Sequence, residues 1–247
     1  MLRARILVGF LIFIASLFSA SQAAAVSITL GFEGNPESVL SMSEANGGFG
    51  CGSPGAMGEL TCSGTNLNNG GWTLDDWNVF ADPDPTISNS FSITNNTAST
   101  QSIFVSISLP TSISFGPSSL IRGSIQGGAT DNNGNGVTLA STGVTSIYDA
   151  QIDAASVRTL LDAPQLYSTP NAFDSVSVGL VNFGIPVQEL IGVATNLTIG
   201  LTIRFDLSAG DSASFTSVFN VEPVPEPGTA LLLGFGLVGL AARSRRA

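Results

Sequence analysis

Carboxylates make up most of the chemical repertoire of this 247-residue chain, which contains no histidine and no lysine. Those gaps remove Ser-His-Asp and Cys-His nucleophiles, His-ligated zinc, Schiff bases and Ser-Lys dyads. Paired acids are the main catalytic option left, and the chain is expected not to be an enzyme. The sharpest ligand-like pattern is Asp131-Asn132-Asn133-Gly134-Asn135-Gly136. It fits the first half of a calcium loop, with Asp131, Asn133 and Asn135 as oxygen ligands at alternate positions around a glycine-permitted turn. The twelfth position is Thr142 where a bidentate glutamate belongs, and Asp/Asn/Gly clusters also build ordinary hairpin tips. No cofactor is required, and calcium is the one candidate ion. A second constellation sets Trp72 and Trp77 around Asp75 and Asp76. On a regular strand their odd separation places the two rings on opposite faces. One ring is then core and the other a platform for a sugar, with Asp75 or Asp76 bonding its hydroxyls. The alternative buries both rings and leaves the acids in a turn. Asp82-Pro83-Asp84-Pro85 offers further carboxylates on a stiff loop, or simply a solvated turn. A glycoside hydrolase needs two such carboxyls across a cleft.

Cys51 and Cys62 are the only cysteines. Their spacing fits neither a C-x-x-C redox motif nor a ligand cluster, and in an oxidising exterior it predicts one local disulfide. Loop-closure entropy makes such a staple worth about 3 kcal/mol.

The elements that must carry these residues are strands. Alternation of β-branched or aromatic residues with Ser and Thr recurs over residues 27–32, 91–94, 102–109, 175–180 and 197–207, the pattern of a sheet with one buried and one wet face. Turn signals separate the runs: Pro83 and Pro85, Asn95-Asn96, Pro110, Gly116-Pro117, Gly127-Gly128 and Gly134 to Gly136. Ser208-Ala209-Gly210-Asp211 turns a last hairpin, which returns through Ser214 to Val221. Residues 146–152 and 157–161 read as a hairpin turning near Ala154-Ala155. About nine or ten short strands predict an all-β fold, a single antiparallel β-sandwich, with a jelly roll as one way to wind it. Asn95-Asn96-Thr97 and Asn196-Leu197-Thr198 form glycosylation sequons.

The charge balance narrows the partners. Before Pro223 lie seventeen acids, and between the chain ends only Arg122, Arg158 and Arg204 oppose them, a net charge of −14. Such a surface repels nucleic acid and favours cations and neutral sugars.

Both ends read as topogenic signals. Residues 1–25 have a positive start at Arg3 and Arg5, an apolar core from Ile6 to Phe18, and the small-residue exit Ser21 to Ala25. That is the anatomy of a secretory signal peptide. Residues 26–222 form the ectodomain, and residues 223–247 are a tail in three parts. Pro225, Glu226 and Pro227 make a stiff extended tripeptide that loses little entropy when an enzyme binds it. Residues 229–242 are uncharged and would span about 21 Å as a transmembrane helix. Arg243, Arg245 and Arg246 then act as a cytoplasmic stop-transfer cluster. The pattern Gly234-Phe235-Gly236-Leu237-Val238-Gly239 inside the apolar run matches a dinucleotide fingerprint, but no βαβ unit can follow it. These glycines suit helix packing in lipid instead.

The tripeptide, the short Leu/Gly/Ala-rich segment and the closing arginines resemble the PEP-CTERM sorting signal, departing only in Gly228 where Ser or Ala is commoner. The resemblance implies recognition by exosortase, a membrane-embedded cysteine transpeptidase of Gram-negative bacteria that make exopolysaccharide. It further implies transient inner-membrane anchoring, then residence in the envelope, at the cell surface or in the extracellular matrix. A structural or adhesive role in a polysaccharide-rich layer is expected. The alternatives are a calcium-assisted carbohydrate-binding module and a carboxylate-based glycoside hydrolase.

Overall fold

The computed structural model describes residues 26–43, 50–56, 58–111, 116, 118–195 and 198–224. The expected signal peptide, the Pro225-Glu226-Pro227 signal, the apolar run and the stop-transfer arginines lie outside the described residues. Within them the chain is nearly all strand, and its one helical turn is a 3-10 turn at Pro36–Ser38. Two antiparallel sheets face each other as a sandwich.

The first sheet contains β1 (Ser27–Phe32), β2 (Leu40–Ser43), β6 (Gln101–Pro110), β8 (Val137–Ala140), β9 (Tyr148–Ile152), β10 (Ala155–Leu160), β11 (Leu166–Thr169) and β14 (Thr198–Leu207). Its main order is β10-β9-β14-β6-β1-β2. The second contains β3 (Leu60–Asn68), β4 (Trp72–Asp82), β5 (Thr86–Asn95), β7 (Ser119–Thr130), β12 (Ser175–Phe183), β13 (Glu189–Ile191) and β15 (Ser212–Pro223). Its order is β12-β7-β15-β5-β4-β3, with β13 also on β7.

Every expected alternating run lies in a strand over its described residues, Leu197 being outside them, and inward residues from both sheets form one core. Phe205 of β14 packs on Phe215 of β15 at 5.0 Å between ring centroids, and Phe91 of β5 packs on Phe215 at 5.8 Å. Burying each ring contributes about 1.5–3 kcal/mol. Tyr148 crosses between the sheets: its ring is buried and its hydroxyl donates to Val218 O at 2.8 Å. Burial and the neighbouring Asp149 charge push that phenol above its ordinary range, so it remains a donor. Asp153 and Ala154, both at positive φ, form the two-residue turn between β9 and β10, the geometry that matches strand twist in a tight hairpin. That turn falls one residue before the expected one.

Two expectations need correction. There are fifteen strands among the described residues, because short edge pieces such as β2, β11 and β13 carry too few alternations to show a period. Gly127-Gly128 is no turn but the middle of β7. A Cβ on Gly127 would sit 2.4 Å from Ser214 O and 2.5 Å from the Phe215 ring, and one on Gly128 2.4 Å from Val176 O. These glycines admit close neighbours within a continuous strand.

Candidate functional site

The sandwich has two unlike ends. β15 runs from Ser212 at the distal end to Pro223 at the tail end, where Pro223 pairs with Ser119 at the start of β7. The path toward Pro225 therefore leaves from the middle of a sheet, held by twelve register pairs to β7. β1 begins at the same end: Ser27 pairs with Ser108, two residues from Pro110, which pairs with Thr198. Both candidate targeting segments thus attach at the tail end.

The distal end holds the proposed calcium residues. Asp131 is almost fully buried. Its Oδ1 accepts from the N–H groups of Asn133 (3.1 Å) and Gly134 (2.8 Å), and its Oδ2 from those of Gly136 (3.0 Å) and Phe173 (2.8 Å). Burial alone would raise this carboxyl, but the four backbone donors outweigh it and hold the pKa at about 2. Asn133 Nδ2 donates to Ala209 O at 2.6 Å, and its Oδ1 accepts from Asn135 N at 3.1 Å. Asp131 and Asn133 thus spend their acceptor oxygens on backbone N–H groups, as an Asx turn does. A hard cation at this loop would have to displace those donors.

Sequence reasoning missed the partners of this loop. Asp211, fully buried, lies against Asp131; its oxygens accept from the Ser208 hydroxyl and from Asn132 N (3.3 Å). Burial pushes its carboxyl up, the two donors oppose that, and the Asp131 charge adds to the rise. Ser208 Oγ also accepts from Thr138 N at 2.8 Å. Asn95 is fully buried and donates through Nδ2 to Ser99 O, Leu207 O and Ser208 O at 2.9–3.1 Å. As folded, that amide has no room for a glycan, whereas Asn196 of the other sequon lies outside the described residues. Only spatial proximity joins these residues, since Asn95 and Asp211 are far apart in sequence.

For the Trp/Asp constellation the alternative holds for the rings, but the acids lie within β4 rather than in a turn. The register of β4 against β5 shifts between Leu74 and Asp76. This bulge adds one residue to the phase, so Trp72 and Trp77 both face inward and both are buried. Neither ring is a sugar platform. Asp75 accepts from Thr94 Oγ1 at 2.7 Å. Asp76 projects from the outer face and lines a groove of about 510 Å³.

That groove crosses β5, β15, β7 and β12. One row of paired outer-face residues runs Asp76, Ser92, Ser214, Gly128, Ser177; the next runs Asn78, Ser90, Thr216, Gln126. Six of its thirteen lining residues carry a hydroxyl or an amide, beside the apolar Phe91, Val178, Leu180 and Phe215. All three ectodomain arginines lie outside it and pair with glutamates: Arg122 with Glu222, Arg158 with Glu189 and Arg204 with Glu33.

The predicted disulfide is present. Cys51 and Cys62 are bonded, and they also meet as an antiparallel bridge beside edge strand β3. Gly52 N donates to Thr61 O at 2.9 Å, so the stapled loop covers part of that edge.

Comparison with known proteins bears on the tail. No curated protein matches the chain. The family model for the PEP-CTERM protein-sorting motif matches residues 223–246, which start on the last residue of β15 and take in Pro225, Glu226, Pro227 and the three arginines. The chain thus carries a C-terminal PEP-CTERM sorting motif and is an exported protein directed to an exosortase.

Proposed function

We propose that the sandwich is a non-catalytic structural or adhesive component of an exopolysaccharide-rich layer, reached after an exosortase-like transpeptidase acts at Pro225-Glu226-Pro227. The observation that carries the reading is the match at residues 223–246, continuous with the central strand β15. A rigid strand hands over directly to a stiff tripeptide, so the signal is displayed with little slack. The apolar run then holds the substrate in the membrane and the arginines fix its orientation. The test is the double variant Glu226→Ala/Pro227→Ala followed by cell fractionation. Retention in the inner membrane supports the reading; export indistinguishable from the parent overturns it.

The groove favours a second, compatible reading in which the adhesive contact is with neutral glycan. Hydroxyl and amide side chains match sugar hydroxyls, and the acidic surface disfavours polyanions. Glycoside hydrolysis takes two carboxyls across a cleft, and Asp76 is the one carboxylate among the described lining residues, which supports binding over cleavage. A Cβ on Gly179, which lines the groove, meets nothing within 4 Å. Gly179→Trp therefore fills the groove from its open side. Loss of retention on neutral polysaccharide in this variant, unaffected by a chelator, supports the groove; loss only with chelator would point to the calcium-assisted module instead.

A further inference from the structure

We propose that residues 184–193, the segment joining β12 to β13 with β13 and the two residues after it, form an apolar ridge that seats the ectodomain on the phospholipid surface while the tail is still in the membrane. The inference rests on the sorting reading, because only a membrane-held tail brings this end to a bilayer. Its first support is an exposed apolar cluster. Ile185, Val187, Leu190 and Val193 fall within nine residues, with Val187 78% and Leu190 65% exposed. Apolar side chains gathered this way on a solvent surface mark an interaction site more often than scattered ones do.

The second support is where the chain leaves. Ser119 of β7 pairs with Pro223 on one side and Ile191 on the other, and Leu120 pairs with both Glu222 and Leu190. The ridge therefore lies two strands, about 10 Å, from the exit of β15. From Val224 to Thr229, where the uncharged run starts, the chain takes five steps and can span at most about 18 Å. A ridge that close to so short a tether is held at the level of the headgroups.

The third support is charge. Arg122 and Arg158, two of the three ectodomain arginines, flank the ridge in half-exposed pairs with Glu222 and Glu189. Pairing makes this flank neutral, and guanidinium groups on aliphatic stems suit an interface between oil and water. The Asp82 and Asp84 turn stands on the other side of the exit, where Val221 N bonds Pro85 O, so the contact is one-sided and tilts the sandwich toward β13. Buried acids concentrate at the opposite end, at Asp131 and Asp211.

The test uses the full chain in vesicles of phosphatidylethanolamine and phosphatidylglycerol, with and without brominated acyl chains. Val187→Trp is compared with Val144→Trp. Val144 is 96% exposed, in the loop whose Thr142 bonds Asp206, eight residues along β14 from its tail-end start. The native tryptophans are buried and give the same background in both. We expect Val187→Trp to shift to the blue and lose most of its added emission to bromine, as for a side chain seated at the headgroup and acyl boundary, with Val144→Trp unchanged. If the chain floats with the vesicles but the two variants respond alike, the ridge proposal is overturned and the sorting reading stands. A blue shift without bromine quenching assigns the ridge to a second copy of the chain and also overturns it. Failure of the parent chain to float removes the membrane-held tail, and the proposal with it.

Discussion

The two ends of the sandwich solve opposite problems with the same kinds of residue. At the distal end Asp131 and Asp211 are buried, and their oxygens are taken by backbone N–H groups and the Ser208 hydroxyl. At the tail end Glu189 and Glu222 remain half-exposed beside arginines, and apolar side chains stand in solvent. The distal acids are enclosed by their own loop, although Phe173 and Val144 stand exposed at that end. The other is left open for what comes next in the chain, a sorting motif at residues 223–246. Burial is costly for a charge and also makes hydrogen bonds to it worth more. The distal carboxylates therefore act on stability, while the sorting motif that follows the tail end bears on where the protein goes.

The comparison breaks most sharply at the tripeptide. Glu226→Ala/Pro227→Ala is expected to abolish processing while leaving the melting temperature of the sandwich unchanged; a lowered melting temperature would show that the tail end is structural too. Next in size is Asp131→Asn. An amide offers one acceptor oxygen where four backbone donors need two, so the melting temperature should fall steeply at pH 7. Calcium or a chelator should move neither protein, and a calcium-dependent rise in the parent would favour the metal reading instead.

Acid titration sharpens the same point. The folded carboxyl of Asp131 lies near 2, below its unfolded value of about 3.9. Its contribution is therefore complete above about pH 4 and lost as the pH falls through about 2. Asp211 has the opposite sign: its raised carboxyl costs stability at neutral pH, and protonation relieves that cost as the pH falls. Removing the disulfide by Cys51→Ser/Cys62→Ser should cost about 3 kcal/mol in denaturant unfolding, an effect on the β3 edge that leaves export intact. The smallest expected change is Asp211→Asn, which mimics the protonated acid. It should leave the melting temperature at pH 7 equal or slightly higher, and a large drop would show that Asp211 is needed as an anion.

Much of this was legible in the order of residues. Ser102 to Leu109 and Thr198 to Leu207 alternate over whole strands, and alternation is a local property that survives without neighbours. The Cys51–Cys62 bond and the tail needed only spacing and order along the chain. What escaped depends on contacts between distant segments. The β4 bulge that turns Trp77 inward is set by pairing with β5, so a count of residues between Trp72 and Trp77 gave the wrong face. The loop pattern at Asp131 is local, but the fourth donor to its carboxylate comes from Phe173, forty-two residues on, and no local pattern shows it. The groove belongs to no motif at all, being assembled one to four residues at a time from five strands.

The central claim is that the sandwich presents a sorting signal for cutting at the end where β15 leaves it. The most direct test is the intact mass of the mature protein recovered from its native host. The account predicts a C-terminus at or near Pro227, without the run 229–242 and without Arg243, Arg245 and Arg246. A native protein that still carries those arginines would contradict it and leave an anchored envelope protein whose tripeptide is only a spacer.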